Sequence, residues 1–307
     1  MQAHYIAADF LMLALLTACT YHAYTRHNLY RVSELFATLI YGVVLESIAI
    51  IAYQDYTYGK DFLIIIAGLP IAVGIGWAVI IYSAMELSNS LRLSEWVRPL
   101  LDTILALSID LSMDPIAIRM GYWNYVVPHN SDWFGVPAIN YFGWISIAFT
   151  YSYWTRAARR IMQKRAEDPS SWKKAATHLT PMLVVVPSIL TLLVMRQTWT
   201  GLTNLKIPLM LIPASILTVV SIITITDAYK QKNRGFIDKK IDLIPFLVPL
   251  AINIFYLLMA VAFGFFSNSI SLGIISGLTL IINLLVYSSP WIVGKTKKPE
   301  TSQSNTL

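Results

Sequence analysis

Five carboxyl residues stand in stretches that are otherwise apolar: Asp9, Glu46, Asp102, Asp110 and Asp114. A charged side chain within an apolar helix is costly, so each is a candidate functional position, although Asp9 is near enough to a membrane end to be solvated. Asp102, Asp110 and Asp114 are separated by eight and four residues. On a helix they fall within about 120° of one face. Such a stripe suits proton transfer. Hydrocarbon surroundings favour the neutral acid, which can give up a proton. Neighbouring carboxyls also drive their ionisation apart, so that one serves as acid and another as base. Glu46, on an earlier segment, supplies a further carboxylate. Pro115 removes a backbone donor beside Asp114 and is expected to kink or end the helix there.

The residues that follow, GYWNYVVPHNSDWFGVP over 121–137, concentrate aromatic rings beside these acids. Trp123 and Trp133 lie in it, and Asn140 and Trp144 come just after. Tyr53 and Trp77 belong to earlier segments. The faces of such rings stabilise cations, and Asn140 can orient a water. We therefore take Asp110, Asp114 and Glu46 as candidate catalytic residues, with Asp102 secondary. Tyr53, Trp77, Trp123, Trp133, Asn140 and Trp144 are candidates for binding substrate or a cationic intermediate. There is no Walker loop, dinucleotide fingerprint or GxSxG string. His22 and His27 are five apart and form no HxxxH pair, and Cys19 is the single cysteine. The expectation is a reaction with no cofactor and no metal.

The elements that must carry these side chains are membrane helices. The chain has 307 residues, of which 56% are hydrophobic and only 13% charged. Soluble domains carry about 25% charge. Nine apolar segments recur, at 4–25, 33–54, 62–86, 96–118, 135–155, 178–197, 205–228, 243–266 and 270–293, each near the length that crosses about 30 Å of hydrocarbon. The expected fold is an all-α polytopic bundle of about nine transmembrane helices. It forms one domain over 1–293, with a motif-rich half (1–155), a plainer half (176–293) and a basic loop (156–175) between them. The polar tail 294–307 is expected to be disordered. Nineteen of the 23 Lys and Arg residues fall in one set of alternate connections and four in the other. That asymmetry predicts a multi-pass cell-membrane protein with its N-terminus outside and C-terminus in the cytoplasm. The net charge of +6 is then loop charge, not a nucleic-acid surface.

Two strings, DLSMDPIAIRMGYW (110–123) and WFGVPAINYFGW (133–144), resemble the integral-membrane carotenoid hydratase family. Glu46, Tyr53, Tyr58-Gly59, Gly68-Leu69-Pro70 and Trp77 also fit its pattern. Ile109 and Tyr125 depart from it, where an aromatic residue and a tryptophan are expected. The resemblance covers roughly residues 40–145. It implies addition of water to the terminal double bond of a linear C40 or C50 carotenoid such as bisanhydrobacterioruberin. The implied partners are the carotenoid, water and the lipid bilayer, with other carotenoid-pathway membrane enzymes as further partners.

Three other readings use the same residues. A terpenoid or carotenoid cyclase needs the same acid. A polyprenyl transferase would use the two DxxxD strings, Asp110/Asp114 and Asp238/Asp242, but the charge count places the first in the outer half of the membrane and the second in a cytoplasmic loop, so they cannot share one ion. A proton-coupled transporter would use the Asp stripe as a relay, yet the second half lacks membrane carboxyls. The orientation is open to test. With Cys19→Ala as background, an impermeant thiol reagent on intact cells should label Asn130→Cys and spare Asp168→Cys. The reverse labelling would invert the topology.

Overall fold

The computed structural model describes residues 2–126, 133–165, 171–204, 208–231 and 242–294. The 295–307 tail and Asp238 lie outside these. The chain is an all-α membrane bundle. Its long helices are α1 (Ala3–Arg26), α2 (Leu29–Ser47), α3 (Ile71–Ser90), α4 (Arg98–Arg119), α5 (Ala138–Arg165), α6 (Ser171–Thr203), α7 (Leu211–Gln231), α8 (Leu243–Ala262) and, after the short α9 (Phe265–Asn268), α10 (Ile270–Gly294). Seven spans among the described residues are long and apolar enough to cross a membrane. Helices α4 and α5 are as long but fall outside that set. They carry the polar stripe and are lined by other helices, so their composition reflects the protein interior, not lipid.

Helix α3 is the centre. It packs against α1, α2, α4 and α8, and nearly every residue from Ala72 to Ser90 is buried. It approaches α2 closely through small residues: a Cβ on Gly74 would lie 2.6 Å from Val43, and one on Gly42 2.9 Å from Trp77. With no hydrophobic drive between helices in lipid, such backbone approach supplies the packing energy.

Three expectations about elements need correction. The apolar run from 62 does not enter α3 directly. Ile65–Ile66 pairs antiparallel with Leu69–Pro70 in a small hairpin, and the helix begins at Ile71. Ala67 and Gly68 take positive φ at its turn, and an apolar run alone does not separate helix from strand. The Asp9 carboxylate, buried, accepts the Leu63 N–H at 2.8 Å and so ties this hairpin to α1. Helix α4 does not end at Pro115 but continues to Arg119. The proline leaves the Leu111 carbonyl without its helical donor, and the Trp133 indole N–H takes that carbonyl at 2.9 Å. Finally, the basic segment from 156 is not all loop, since α5 runs through Arg165.

The helices alternate in direction, so the ends of α2 and α4 meet the starts of α3 and α5. The opposite end of the bundle holds a buried ionic layer. There Arg31 and Arg159 both pair with Glu34, at 2.6 and 2.7 Å, and Arg31 also pairs with Glu86. Arg156 pairs with Asp102 at 2.8 Å and donates to Asn89 and Ser88. Ser88 and Ser152 hydroxyls also donate to Asp102. These three arginines read as loop charges in sequence, yet they sit among helices. Breaking a buried pair strands a charge, at a cost of about 3 kcal/mol. Asp102→Asn should therefore lower the melting temperature in detergent by several degrees. An unchanged melting temperature would show that the neutral neighbours alone hold Arg156.

Candidate functional site

A two-stranded ladder assembles the cavity end of the bundle. After α2 the chain makes a π-helical turn, Ile48–Tyr53, then Gln54 in the left-handed region with φ 53°. Strand β1, Tyr56–Tyr58, follows and pairs antiparallel with Trp123–Tyr125 from the segment after α4. For clarity the hairpin strands are β2 (Ile65–Ile66) and β3 (Leu69–Pro70), and Trp123–Tyr125 is β4. The register sets Tyr56 opposite Tyr125 and Tyr58 opposite Trp123. The ladder is held from outside: Gly59 N–H donates to the Tyr122 carbonyl at 2.9 Å, and Tyr5 O–H to the Gly121 carbonyl at 2.6 Å. A side chain at Gly59 has no room, since its Cβ would lie 2.3 Å from the Tyr5 oxygen.

Beneath this ladder lies a cavity of about 450 Å³. Glu46, Tyr53, Trp77, Asp114, Trp123, Asn140 and Trp144 all line it, as do Tyr56, Tyr58 and Tyr125. Seven of the ten residues expected from sequence thus meet in one place. Trp77 and Trp144 form an aromatic wall, with ring centroids 4.2 Å apart. The second half of the chain contributes Leu192, Arg196 and Trp199 from α6 and Tyr256 from α8.

Glu46 is buried and accepts three hydrogen bonds. Trp77 Nε1 donates to its Oε1 at 2.7 Å, and the Tyr58 and Tyr56 hydroxyls donate to Oε2, Tyr58 at 2.7 Å. Burial first, and then the Glu46 carboxylate, push both phenols well above their usual range. They stay protonated and remain donors. Burial and the neighbouring Asp114 do the same for Tyr125.

The second carboxyl group is a pair. Asn140 Nδ2 donates to Asp114 Oδ2 at 2.6 Å and to Asp110 Oδ2 at 3.2 Å, bridging successive turns of α4. The Tyr125 hydroxyl lies 3.4 Å from Asp114 Oδ2. Asp114 faces the cavity, whereas Asp110 is fully buried behind it and is not among the cavity residues. Among the described residues, Asp110 Oδ1 has no hydrogen-bond partner. Among the described residues, no basic side chain forms an ion pair with either carboxyl.

Besides Asp110, two expected residues take other places. Trp133 stacks edge-on against Phe134 and caps the Leu111 carbonyl, so it positions α4 and does not wall the cavity. Asp102 belongs to the opposite ionic layer. Tyr53 lines the cavity, but Arg196 lies over its ring at 4.6 Å, while Arg196 also pairs with Asp55 at 2.8 Å. Sequence reasoning missed Tyr125 as an Asp114 neighbour, and Arg196, which counted only as a loop charge. His22 and His27 do come together after all. With Glu86 they form a group whose ligand atoms lie within 4.8 Å of one another, which could hold a metal. It sits at the opposite end, and its atoms are engaged by Tyr82, Asp242 and one another.

A family model described as carotenoid biosynthesis protein matches residues 7–220. Bisanhydrobacterioruberin hydratase of Haloarcula japonica is 30% identical over 98 residues, which is 30% of this chain and 32% of that protein. The aligned part thus spans about a third of that relative's length. No solved structure matches the chain. With the matched region running from α1 into α7 and containing every wall of the cavity except Tyr256, the chain belongs to the carotenoid biosynthesis protein family.

Proposed function

We propose that this protein is a carotenoid hydratase, a hydro-lyase that adds water to the terminal trisubstituted double bond of a linear carotenoid. The observation that carries the reading is a carboxyl pair, bridged by one amide, opening on an aromatic-walled cavity that also holds a separately hydrogen-bonded carboxylate. The hydratase relative supports it, since its name describes hydration of bisanhydrobacterioruberin. In this reading the cell-membrane protein has its N-terminus outside, which puts the cavity in the outer half of the bilayer.

Two carboxyls this close in a dry interior, with no cation beside them, are best satisfied by sharing one proton. Asp114, at the cavity wall, delivers that proton to the less substituted alkene carbon. Asp110 acts through Asp114, holding the shared proton and accepting charge as it leaves. The tertiary cation forms against the faces of Trp77, Trp144 and Trp123; Tyr53 is less available because Arg196 covers it. Glu46, acting as the carboxylate that accepts three hydrogen bonds, takes a proton from the attacking water, and Asn140 orients the reacting groups. A transferase reading loses ground here, because Asp242 pairs with His22 and Arg26 at the end remote from Asp110 and Asp114.

The carboxyl series tests the mechanism, with product counted per unit of folded protein in membranes from a host making lycopene or its C50 analogue. Hydration gains one or two waters per pigment, which mass spectrometry distinguishes from cyclisation. Asp114→Asn and Asp110→Asn should each reduce hydration by about 10²-fold or more, Glu46→Gln by less, and Asp102→Asn least per folded molecule. Wild-type conversion by both Asp110→Asn and Asp114→Asn would end this mechanism. Only a proton and a water move, so purified protein should stay active in EDTA and without nicotinamide or flavin. Loss on chelation with recovery on adding Mg²⁺ would favour diphosphate chemistry instead.

A further inference from the structure

The proposed reaction leaves a proton in the wrong place. Asp114 starts as the acid and ends as a carboxylate, while Glu46 starts as a carboxylate and ends as the acid. The alkene has gained one proton and one hydroxyl, so the balance over substrate and water is complete. The enzyme, however, is not reset until one proton moves from Glu46 to Asp114. The two groups stand on different helices, α2 and α4, and among the described residues no hydrogen bond joins them directly.

The β1–β4 ladder places one phenol against each of the two groups. Tyr56 donates to Glu46 Oε2, and Tyr125 donates to Asp114 Oδ2 at 3.4 Å. The two tyrosines are directly opposed in the register, and their rings meet edge to face with centroids 5.8 Å apart. Tyr58, the other phenol on Glu46, is instead opposed to Trp123, whose indole offers no acceptor.

We propose that Tyr56 and Tyr125 form a relay that returns the proton from Glu46 to Asp114 after each turnover, an inference that rests on the hydratase reading. Once Glu46 is protonated it donates to the Tyr56 oxygen, which frees the Tyr56 hydrogen to turn toward Tyr125. Tyr56 passes its hydrogen to the Tyr125 oxygen, and Tyr125 passes its own to Asp114. Each phenol gains one proton and loses one, and no electrons are transferred. The relay touches neither the alkene nor the attacking water, so both tyrosines are positioning residues for protons and not catalytic residues.

The test separates the first turnover from later ones. Wild type, Tyr56→Phe, Tyr125→Phe and Tyr58→Phe are purified into lipid nanodiscs and mixed with lycopene or its C50 analogue under rapid quench. The amplitude of the first turnover counts correctly folded sites. In Tyr125→Phe and Tyr56→Phe the steady-state rate should fall by about 10²-fold, the lower end for losing a proton-transfer group, and by far more than the first-turnover rate. Imidazole, a small proton carrier, should restore steady turnover in both. Tyr58→Phe should slow both phases together and gain nothing from imidazole. If both rates fall in parallel in Tyr56→Phe and Tyr125→Phe, and imidazole restores neither, the relay is wrong and the tyrosines only shape the site. If wild type itself forms no alcohol from either pigment, the hydratase reading fails first, and the relay with it.

Discussion

A carboxyl group taken out of water must be hydrogen-bonded, paired with a cation or protonated, and this bundle answers that constraint differently at its two ends. At one end Asp102, Glu34 and Glu86 are met by Arg156, Arg31 and Arg159. At the other, Glu46, Asp110 and Asp114 meet phenols, an indole and an amide. The difference decides what each end can do. An arginine partner favours the anionic form of a carboxyl and so opposes its use as a proton donor. Neutral donors leave protons available, and the one arginine on the cavity wall, Arg196, is paired with Asp55 and not with these carboxyls.

Most of the surrounding architecture follows from keeping those neutral partners in place. The π-helical turn after Ser47 redirects the chain so that β1 lies across the cavity. The ladder with β4 sets the phenols over their carboxyls. Tyr5, Gly59, Gly121 and Tyr122 lock that ladder to α1, and the Asp9 contact fixes the neighbouring hairpin. Pro115 and Trp133 act as one device. The proline opens the backbone of α4 between the two catalytic candidates, and the indole closes the exposed carbonyl.

The first half of the chain supplies both carboxyl groups, and the second half completes the enclosure. Helix α6 places Leu192, Arg196 and Trp199 against the cavity, and α8 adds Tyr256. Arg196 is the charged contributor, yet it is directed to Asp55 and the Tyr53 ring at the margin of the aromatic wall. The plain hydrophobic appearance of this half in sequence conceals the role because walls of an apolar cavity and surfaces facing lipid have the same composition.

What the sequence by itself determined was the class and the cast. Apolar segment length and low charge specified a helical membrane bundle, because only a helix closes its own hydrogen bonds in lipid. The Asp110/Asp114 spacing put two carboxyls on adjacent turns, because helical periodicity is local. Glu46, Trp77, Asn140 and Trp144 were likewise legible as chemistry out of place in apolar surroundings. The tertiary structure decided which of these meet. Asp102 shares a helix face with Asp110, but Arg156 on α5 removes it from the site. Trp133 has the right ring but the wrong position, because a backbone carbonyl freed by Pro115 claims it. Tyr125 and Tyr56 became a pair only through β-register, and Arg31, Arg156 and Arg159 moved from loop to interior only when their partners on other helices were known. Local spacing determines what one helix presents, whereas long-range pairing determines what it faces, and the latter depends on contacts between residues far apart in the chain.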